Sequence, residues 1–459
     1  MDFQGKKILV VGLGKTGMTL IAFLVRQGAQ VLVSDSLDLN EIKKRVSEIK
    51  TIRFPLILEG GGHSPAFFLK ADMVLVSPGI PLDLPALRAV QDKGIPVFGE
   101  LEVFAAFCQT PIVAVTGTNG KTTTTALLNE MLVNSEKKTF LGGNIGRPLV
   151  DYILNGPDRE IVVAEISSFQ LDTTSHFSPK VGVLLNITED HLDRYAGFQA
   201  YIASKASLFR NQGADNQAVV NWDDPICRSI GERLTGPVYF FSRTGQVSQG
   251  AFIDQNKAVV LLDSLRETYD LKEFSLPGVH NLENALAAIL GARLMGATPE
   301  AIQKTLLTFK GFGHRLEYVG EVKGIQFYDD SKATNVGAVV KALEGFNRPV
   351  ILIAGGRDKG GDYGPLEELI QTKVKALVLI GEAREKMRNQ LGPLTETQKA
   401  ETLEKAVSLA FHQGRPGDVV LLSPACSSFD MFQDYVHRGK VFQKAVRELE
   451  DHHPGVLAG

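Results

Sequence analysis

The sequence is poor in cysteine, with only three among its 459 residues, Cys108, Cys227 and Cys426, and no Cys-x-x-Cys pair. This scarcity excludes a disulfide-stapled scaffold and a zinc ribbon, and it is typical of a reducing cytosol. Long apolar runs are also missing, because none approaches the roughly 18 residues that cross a bilayer. The first residues lack the apolar core of a signal peptide. We therefore expect a cytoplasmic protein without a membrane span.

An excess of one charge is absent as well, since 49 Lys and Arg residues face 52 Asp and Glu residues, for a formal net charge of −3. Without a positive excess there is no electrostatic basis for binding nucleic acid or an anionic membrane surface. The composition, 44% hydrophobic and 22% charged, is that of a globular protein. A chain of this length is expected to form several domains of roughly 100–200 residues each.

Short runs of Val, Ile and Leu alternate with helix-like segments along the whole chain. Such nearly continuous apolar runs are typical of parallel strands buried on both faces, and they predict α/β domains whose loops collect at the carboxyl ends of the strands. A less regular region, 219–276, predicts an accessory sheet. The predicted strands are 7–11, 31–34, 73–76, 112–115, 161–166, 181–186, 350–354, 376–380 and 419–423.

Two breaks in this pattern predict domain boundaries. One lies at 99–110, and the other lies at 310–314, where glycines interrupt the pattern. We expect a Rossmann-like parallel sheet in the first domain and a P-loop mononucleotide-binding α/β domain with the accessory sheet in the second. A further Rossmann-like α/β domain is expected in the third. The predicted domains are residues 1–100, 101–311 and 312–459.

The most informative segment is 112–124, in which an apolar strand enters a glycine loop followed by Lys121, Thr122 and a helical run. This arrangement cradles phosphate, because backbone N–H groups and the helix N-terminus favour negative charge, while the lysine and the threonine hydroxyl serve phosphate and Mg²⁺. The spacing is unusual, since two residues rather than the usual four separate Gly117 from Gly120. The segment predicts ATP binding; the alternative is an ordinary strand-to-helix turn with a surface lysine.

A second glycine loop, 12–17, follows the first predicted strand, and Asp35 closes the next one. The pattern satisfies the dinucleotide-binding fingerprint and, alone, favours an NAD(P)-dependent oxidoreductase. No hydride-transfer site is evident further on, so we interpret the loop as a nucleotide-diphosphate site, completed by the loop 77–81. The alternative is that the glycines serve only close packing of a helix on a strand.

Further polar residues follow the central strands. Glu165 ends one strand and is a hard oxygen ligand suited to Mg²⁺, or else a helix N-terminal acid. His191 lies in an acidic loop and is either a metal or phosphate ligand, oriented by Asp190 or Asp193, or a histidine with local partners only. Lys205, judged by its neighbours alone, is interpreted as a solvated helix lysine. Asn281 is either a helix cap or an adenine contact.

Together these residues resemble the ATP-dependent Mur ligases of bacterial peptidoglycan synthesis, a group to which folylpolyglutamate synthase is similar. The resemblance covers essentially the whole chain. The shared elements are Thr-Gly-Thr-Asn-Gly-Lys-Thr at 116–122, Glu165, the cluster 186–193, His280-Asn281-x-x-Asn284, His314-Arg315 and Asp330-Ser331-Lys332. Four more segments are similar to the D-glutamate-adding branch of the family: 12–17 with Asp35, 142–146, 329–335 and 422–430.

The resemblance implies domains for a UDP-sugar substrate, ATP and an amino acid. The implied enzyme is a ligase that adds D-glutamate to UDP-N-acetylmuramoyl-L-alanine through an acyl phosphate. It further implies two Mg²⁺ ions and a carbamylated Lys205, in which CO₂ turns a repelled cation into an oxygen ligand. We expect a monomer acting on small molecules. A non-catalytic nucleotide-binding protein is the remaining alternative.

The resemblance also implies residue roles. The catalytic residues would be Lys121, His191, Lys205, Arg315 and Lys332. The ATP site would contain Gly117, Thr118, Asn119, Gly120, Lys121, Thr122, Thr123, Asn281, Asn284, Arg315, Asp330 and Lys332. The metal ligands would be Thr122, Glu165, His191 and carbamylated Lys205. The UDP-substrate site would contain Lys15, Thr16, Asp35, Ser36, Ser77, Gly79, Asn144 and Gln170. D-Glutamate would meet Thr334, Lys359, Ser428 and Tyr435.

Overall fold

The structure, a computed structural model, describes residues 1–49, 56–156, 158–191, 194–263, 265–274, 276, 278–309, 311, 313–358, 360 and 362–452. The chain divides into two compact units, Met1–Phe274 with Glu283–Leu307 and Ser275–Leu282 with Thr308–Gly459. Two sheets lie in the first unit and one in the second. None of the helices among the described residues has the length and apolarity to cross a bilayer.

The first sheet has five parallel strands in the order β3-β2-β1-β4-β5. Because strand order reverses at β1, the carboxyl ends of β1 and β4 flank a crevice of the kind that binds ligands in open α/β sheets. The strands are β1 (Lys7–Val11), β2 (Gln30–Ser34), β3 (Ile57–Glu59), β4 (Met73–Val76) and β5 (Val97–Gly99). The helices are α1 (Lys15–Arg26), α2 (Leu39–Ser47), α3 (Pro65–Phe68) and α4 (Pro85–Asp92).

The second sheet has nine strands in the order β14-β13-β12-β11-β10-β9-β6-β8-β7. Strand β6 lies between β8 and β9, so the loops after these three strands meet at one sheet edge. The strands are β6 (Ile112–Thr116), β7 (Thr139–Gly143), β8 (Ile161–Glu165), β9 (Val181–Leu184), β10 (Gln217–Asn221), β11 (Val238–Ser242), β12 (Gly250–Asp254), β13 (Lys257–Leu262) and β14 (Leu265–Asp270). The predicted accessory sheet is thus a continuation of the central one, with β12, β13 and β14 antiparallel.

Eight α-helices accompany these strands in the described part of the chain. They are α5 (Glu100–Phe107), α6 (Lys121–Asn134), α7 (Leu149–Asn155), α8 (Ser168–Leu171), α9 (Phe198–Ala206), α10 (Pro225–Gly231), α11 (Val279–Leu294) and α12 (Pro299–Thr308), and a short 3₁₀ turn covers Ser207–Phe209.

The third sheet has six strands in the order β15-β16-β20-β17-β18-β19, parallel except for β15. The β15–β16 hairpin turns at Lys323 and Gly324, both with positive φ (50° and 77°), as two-residue hairpin turns require. The strands are β15 (Glu317–Val322), β16 (Ile325–Asp329), β17 (Val350–Gly355), β18 (Val374–Ile380), β19 (Glu396–Lys399) and β20 (Val419–Leu422). The helices are α13 (Val336–Glu344), α14 (Glu367–Lys373), α15 (Arg384–Leu391), α16 (Leu403–Gln413) and α17 (Tyr435–His452), with 3₁₀ turns at Gly364–Leu366 and Gly392–Leu394.

The predicted α/β architecture with three sheet-containing parts is confirmed. The boundaries at residues 100 and 311 stay a prediction.

Candidate active site

The loop between β6 and α6 requires glycine at two positions. Gly117 and Gly120 both have positive φ, 152° and 83°. A Cβ on Gly117 would lie 2.9 Å from the Leu185 Cβ atom, and one on Gly120 would lie 2.2 Å from the Asn284 Oδ1 atom. Gly120 also caps α6, so the loop delivers Lys121 and Thr122 to the first turn of that helix. The geometry is that of a phosphate-binding loop.

Residues after β9 brace this loop. The Thr118 backbone N–H donates to the Asn186 carbonyl oxygen (2.8 Å), and the Asn119 N–H donates to the Asn186 side-chain oxygen (2.8 Å). The Thr118 hydroxyl donates to the Thr188 carbonyl oxygen at 3.1 Å. These contacts fix the loop without using the Lys121 side chain. The sequence indicates Asn186 only as a member of a polar cluster. Its hydrogen bonds to the loop depend on the pairing of β9 with β6, which the sequence alone does not reveal.

Lys121 folds back over the loop that precedes it. Its Nζ atom donates to the carbonyl oxygens of Gly117 (2.9 Å) and Thr118 (2.8 Å). The same ammonium can exchange these carbonyls for phosphate oxygens, which are stronger acceptors because they are charged. Thr122 and Thr123 are buried in the first turn of α6. Further along this helix, the Thr124 hydroxyl donates to the Asn284 Oδ1 atom at 3.2 Å.

Lys205 is buried, with 1% of its surface exposed, so its interpretation as a solvated helix lysine is wrong. Its Nζ atom donates to the Gly117 carbonyl oxygen at 2.8 Å and lies 4.7 Å from the centre of the Tyr201 ring. Burial, together with the positive charge of Lys121, holds the pKa of Lys205 well below its usual range. A lowered pKa favours the neutral amine, which can react with CO₂. The ammonium form cannot.

Glu165 ends β8 and is 1% exposed. Its Oε1 atom accepts a hydrogen bond from the Asn144 side-chain nitrogen at 2.7 Å. Its Oε2 atom is buried and has no hydrogen-bond partner among the described residues. A buried carboxylate oxygen without a partner is costly, and a divalent cation would satisfy it. The site therefore fits Mg²⁺.

His191 has a positive φ of 55°, and its ring centre lies 4.8 Å from that of Phe169 and 6.4 Å from that of Tyr201. The Asp190 Oδ2 atom lies 3.7 Å from its Nε2 atom, and Asp193 lies outside the described residues. Of the two proposed orienting carboxylates, only Asp190 is therefore placed.

A cavity of about 460 Å³ lies where the carboxyl ends of β1 and β4 meet the loop after β7. The Asp35 carboxylate braces one wall by accepting a hydrogen bond from the Leu13 N–H (2.6 Å), and the Ser77 hydroxyl donates to the Gly12 carbonyl oxygen (2.9 Å). Exposed Lys15 and Ser36 are not among the lining residues. The structure does bring six of the eight predicted UDP-substrate residues to this cavity: Thr16, Asp35, Ser77, Gly79, Asn144 and Gln170.

In the second unit, the carboxyl ends of β16 and β20 gather a separate group. The Ser423 hydroxyl donates to the Asp330 carboxylate at 2.8 Å, and burial raises the pKa of Asp330 to about 7. The Lys332 ammonium lies 3.9 Å from the centre of the Tyr435 ring. Arg315 is half-buried, and its positive charge opposes part of the rise in the pKa of Asp330.

The other predicted residues of this unit are less informative. Asn281 is buried, Thr334 is half-buried, Ser428 is buried, and Lys359 lies outside the described residues.

Two buried features of the second unit were missed by sequence reasoning. Arg438, fully buried on α17, donates to the Ser331 hydroxyl and carbonyl oxygens and to the Cys426 carbonyl oxygen. The His314 Nδ1 atom lies 2.7 Å from the Asp329 carboxylate, which raises the pKa of His314. Nothing in the sequence around Arg438 distinguishes it from a surface helix residue. The His314-Arg315 motif marks His314 but gives no sign of its pairing with Asp329.

Comparison with known proteins shows which proteins the chain is similar to. Three family profiles match it: "Mur ligase MurD-like, N-terminal domain" at residues 6–99, "Mur ligase middle domain" at 115–292 and "Mur ligase, glutamate ligase domain" at 314–426. UDP-N-acetylmuramoylalanine–D-glutamate ligase from Geotalea daltonii is 46% identical over 98% of this chain and 99% of its own. The enzyme of that name from Trichlorobacter lovleyi is 47% identical over 98% and 100%.

Solved structures share the fold at lower identity. MurF ligase from Thermotoga maritima, in complex with ADP, has a TM-score of 0.60 at 20% identity and covers 98% of this chain and 96% of its own. UDP-N-acetylmuramate–alanine ligase from the same organism has a TM-score of 0.58 at 20% identity, over 96% and 99%. These structures show the fold, and the full-length relatives and the three matched profiles show that the chain belongs to the Mur ligase family of ATP-dependent ligases.

Proposed function

We propose that this chain joins D-glutamate to UDP-N-acetylmuramoyl-L-alanine at the expense of ATP, giving ADP and phosphate, a cytoplasmic step of peptidoglycan synthesis. The observation that carries the proposal is the phosphate loop of Lys121 beside a buried Glu165 carboxylate whose Oε2 atom has no partner among the described residues. The full-length relatives named above support the choice of substrates. Family membership removes the basis for the oxidoreductase alternative, which rested on the loop 12–17 alone.

The first step is phosphoryl transfer. The terminal carboxylate of the UDP-substrate forms a bond to the γ-phosphorus as the bond to ADP breaks. Charge accumulates on phosphoryl oxygens, so positioning and electrostatic stabilisation supply most of the catalysis. We assign this stabilisation to Lys121, Arg315 and Lys332. Glu165, the Thr122 hydroxyl, His191 and a carbamylated Lys205 would hold two Mg²⁺ ions, which neutralise phosphoryl charge when bound.

The second step is amide formation. The amine of D-glutamate attacks the acyl carbon, the C–N bond forms, and phosphate leaves as the C–O bond breaks; the amine loses a proton. His191 is one candidate for the base, but service as a metal ligand would occupy it. We assign the binding of D-glutamate to Thr334, Lys359, Ser428 and Tyr435.

The remaining assignments follow the same proposal. ATP would be bound by the loop 117–123 with Asn281, Asn284 and Asp330. The UDP-substrate would occupy the cavity lined by Thr16, Asp35, Ser77, Gly79, Asn144 and Gln170, with Lys15 and Ser36 at its margin. We propose that the protein acts as a monomer.

One assay tests the function. Phosphate release from ATP is measured with UDP-N-acetylmuramoyl-L-alanine and, in parallel, D-glutamate, L-glutamate or L-lysine; omission of the UDP-substrate is the control. We expect release with D-glutamate only. No ATP cleavage with any of these combinations, or a preference for an L-amino acid, would overturn the proposal.

A further inference from the structure

Arg194 joins two parts of the first unit that are distant in sequence. Its two terminal guanidinium nitrogens donate to adjacent carbonyl oxygens, that of Gly79 at 3.1 Å and that of Ile80 at 3.0 Å. These carbonyls belong to the loop 77–80 after β4, all four residues of which line the cavity assigned to the UDP-substrate. The arginine itself lies in the segment between β9 and α9.

Two cavities border the loop 77–80. The second cavity, of about 780 Å³, is also lined by Ser77, Pro78 and Ile80, together with Phe169 and Arg194. A Cβ added to Gly79 would meet no atom within 4 Å. Ser77 is buried and Ile80 packs on the core of the first sheet, so packing holds the two ends of the loop. Gly79 is exposed and has little packing around it, so the pair of hydrogen bonds from Arg194 constrains this part of the loop.

The same guanidinium covers an aromatic ring. Its central carbon lies 4.7 Å from the centre of the Phe169 ring, and the centre of that ring lies 4.8 Å from the centre of the His191 imidazole, at an interplanar angle of 61°. Phe169 precedes Gln170, which lines the UDP-substrate cavity. One planar group therefore contacts the cavity loop and the ring that supports His191.

We propose that Arg194 is a positioning residue that sets the loop 77–80 around the UDP-substrate and, through Phe169, the orientation of His191. The inference rests on the proposed function only for the identity of the ligand in the cavity. Arginine suits this task because its rigid fork can donate to two carbonyls while its face stacks on a ring. Lysine, a point charge on a flexible stem, cannot do both.

The test measures binding and turnover separately. For Arg194→Gln we expect the Kd for UDP-N-acetylmuramoyl-L-alanine, measured by calorimetry, to rise about tenfold, the effect of losing charge-assisted hydrogen bonds. The KM for ATP should change less than twofold, because the bracing of the phosphate loop by Asn186 is untouched. Arg194→Lys should recover only part of the affinity. Phe169→Leu keeps both carbonyl bonds, so it should lower kcat more than it raises the Kd.

Arg228→Gln is the matched control, because that guanidinium also lies over an aromatic ring, 5.2 Å from the centre of the Trp222 ring. It should leave both constants unchanged. Unchanged UDP-substrate binding in Arg194→Gln, or equal losses for both substrates, would overturn the inference while leaving the proposed function intact. If the unmodified protein failed to bind the UDP-substrate, both would fall.

Discussion

The buried Nζ atom of Lys205 donates a hydrogen bond to the carbonyl oxygen of Gly117, the first glycine of the phosphate loop, across 2.8 Å. A lysine from α9 is thus held at the edge where phosphate, metal and the substrate carboxylate are expected to meet. Its ammonium form is disfavoured both by burial and by Lys121. The amine is therefore suited to carbamate formation, which would give that edge another anionic oxygen donor.

Replacing Lys205 by alanine should lower kcat by about a hundredfold, the upper range for loss of a group that supports a metal. Short carboxylates in the assay should restore part of the rate, since they can supply the missing oxygen atoms. The measurement is phosphate release with and without added formate or acetate. Lys257→Ala, on the exposed start of β13, is the control. A variant that no carboxylate restores would argue against a carbamate.

Replacing Lys121 by alanine should lower kcat about a thousandfold, because it removes the cation closest to the phosphate loop. Calorimetric binding of the UDP-substrate should stay within about twofold, since the hydrogen bonds of Asn186 and Thr188 to the loop remain when those of Lys121 are lost. Lys138→Ala, an exposed lysine beyond the end of α6, should behave as the unmodified protein. Near-normal turnover in Lys121→Ala would contradict the phosphate role.

Replacing Glu165 by glutamine keeps a side-chain oxygen that can accept the hydrogen bond from Asn144. It removes the negative charge that makes the position of the unpartnered Oε2 atom suitable for a cation. We expect the Mg²⁺ concentration that gives half-maximal activity to rise at least about tenfold. A titration of phosphate release against MgCl₂ measures this shift. Glu160→Gln, an exposed residue preceding the same strand, is the comparison. An identical Mg²⁺ titration for both variants would mean that Glu165 does not hold the metal.

Glu100 should make the stability of the first unit depend on pH. Its carboxylate accepts a hydrogen bond from the Val150 N–H (2.9 Å) in the first turn of α7, while its Oε2 atom has no partner among the described residues. Burial raises the pKa of Glu100 from 4.5 to about 7. On raising the pH through this window, the unfolded chain loses the proton before the folded one does, so stability falls.

Urea unfolding at pH 5 and pH 8 tests this sign. Between these values the unmodified protein should lose about 2 kcal/mol more stability than Glu100→Gln, which cannot ionise. Other titrating groups contribute equally to both proteins and cancel in the comparison. Parallel pH profiles for the two proteins would rule out the raised pKa as a source of instability.

Sequence patterns predicted the buried strands well. Strands β1 and β4 have the predicted bounds, and the other seven predicted strands differ from the observed ones by one or two residues at an end. Continuous Val and Ile runs have few alternatives to a buried strand. The hairpins of β12 to β14 and of β15 with β16 were not resolved in the sequence. Strands β14 and β15 are largely exposed or half-exposed and mix charged with apolar residues, so they lack the pattern of a buried strand.

The candidate site was predictable where a motif carries its own chemistry, as at Lys121 and Glu165. It was not predictable where chemistry depends on surroundings. Lys205 has the sequence neighbours of an exposed residue, and only the packing of α9 against the phosphate loop reveals that it is buried. Arg194 contacts Gly79 from 115 positions away in the chain, a pairing that no local pattern encodes.

Strands β12, β13 and β14 extend the nine-stranded sheet away from β6 and its phosphate loop, and the turn between the first two has an exposed Gln255 with a φ of 54°. That turn is a suitable site for fluorescent labelling. A single cysteine introduced there would carry a fluorescent dye well removed from nucleotide chemistry, provided that the half-buried Cys108 is first replaced. The fluorescence of the dye could then report rotational diffusion and ligand binding in the active enzyme.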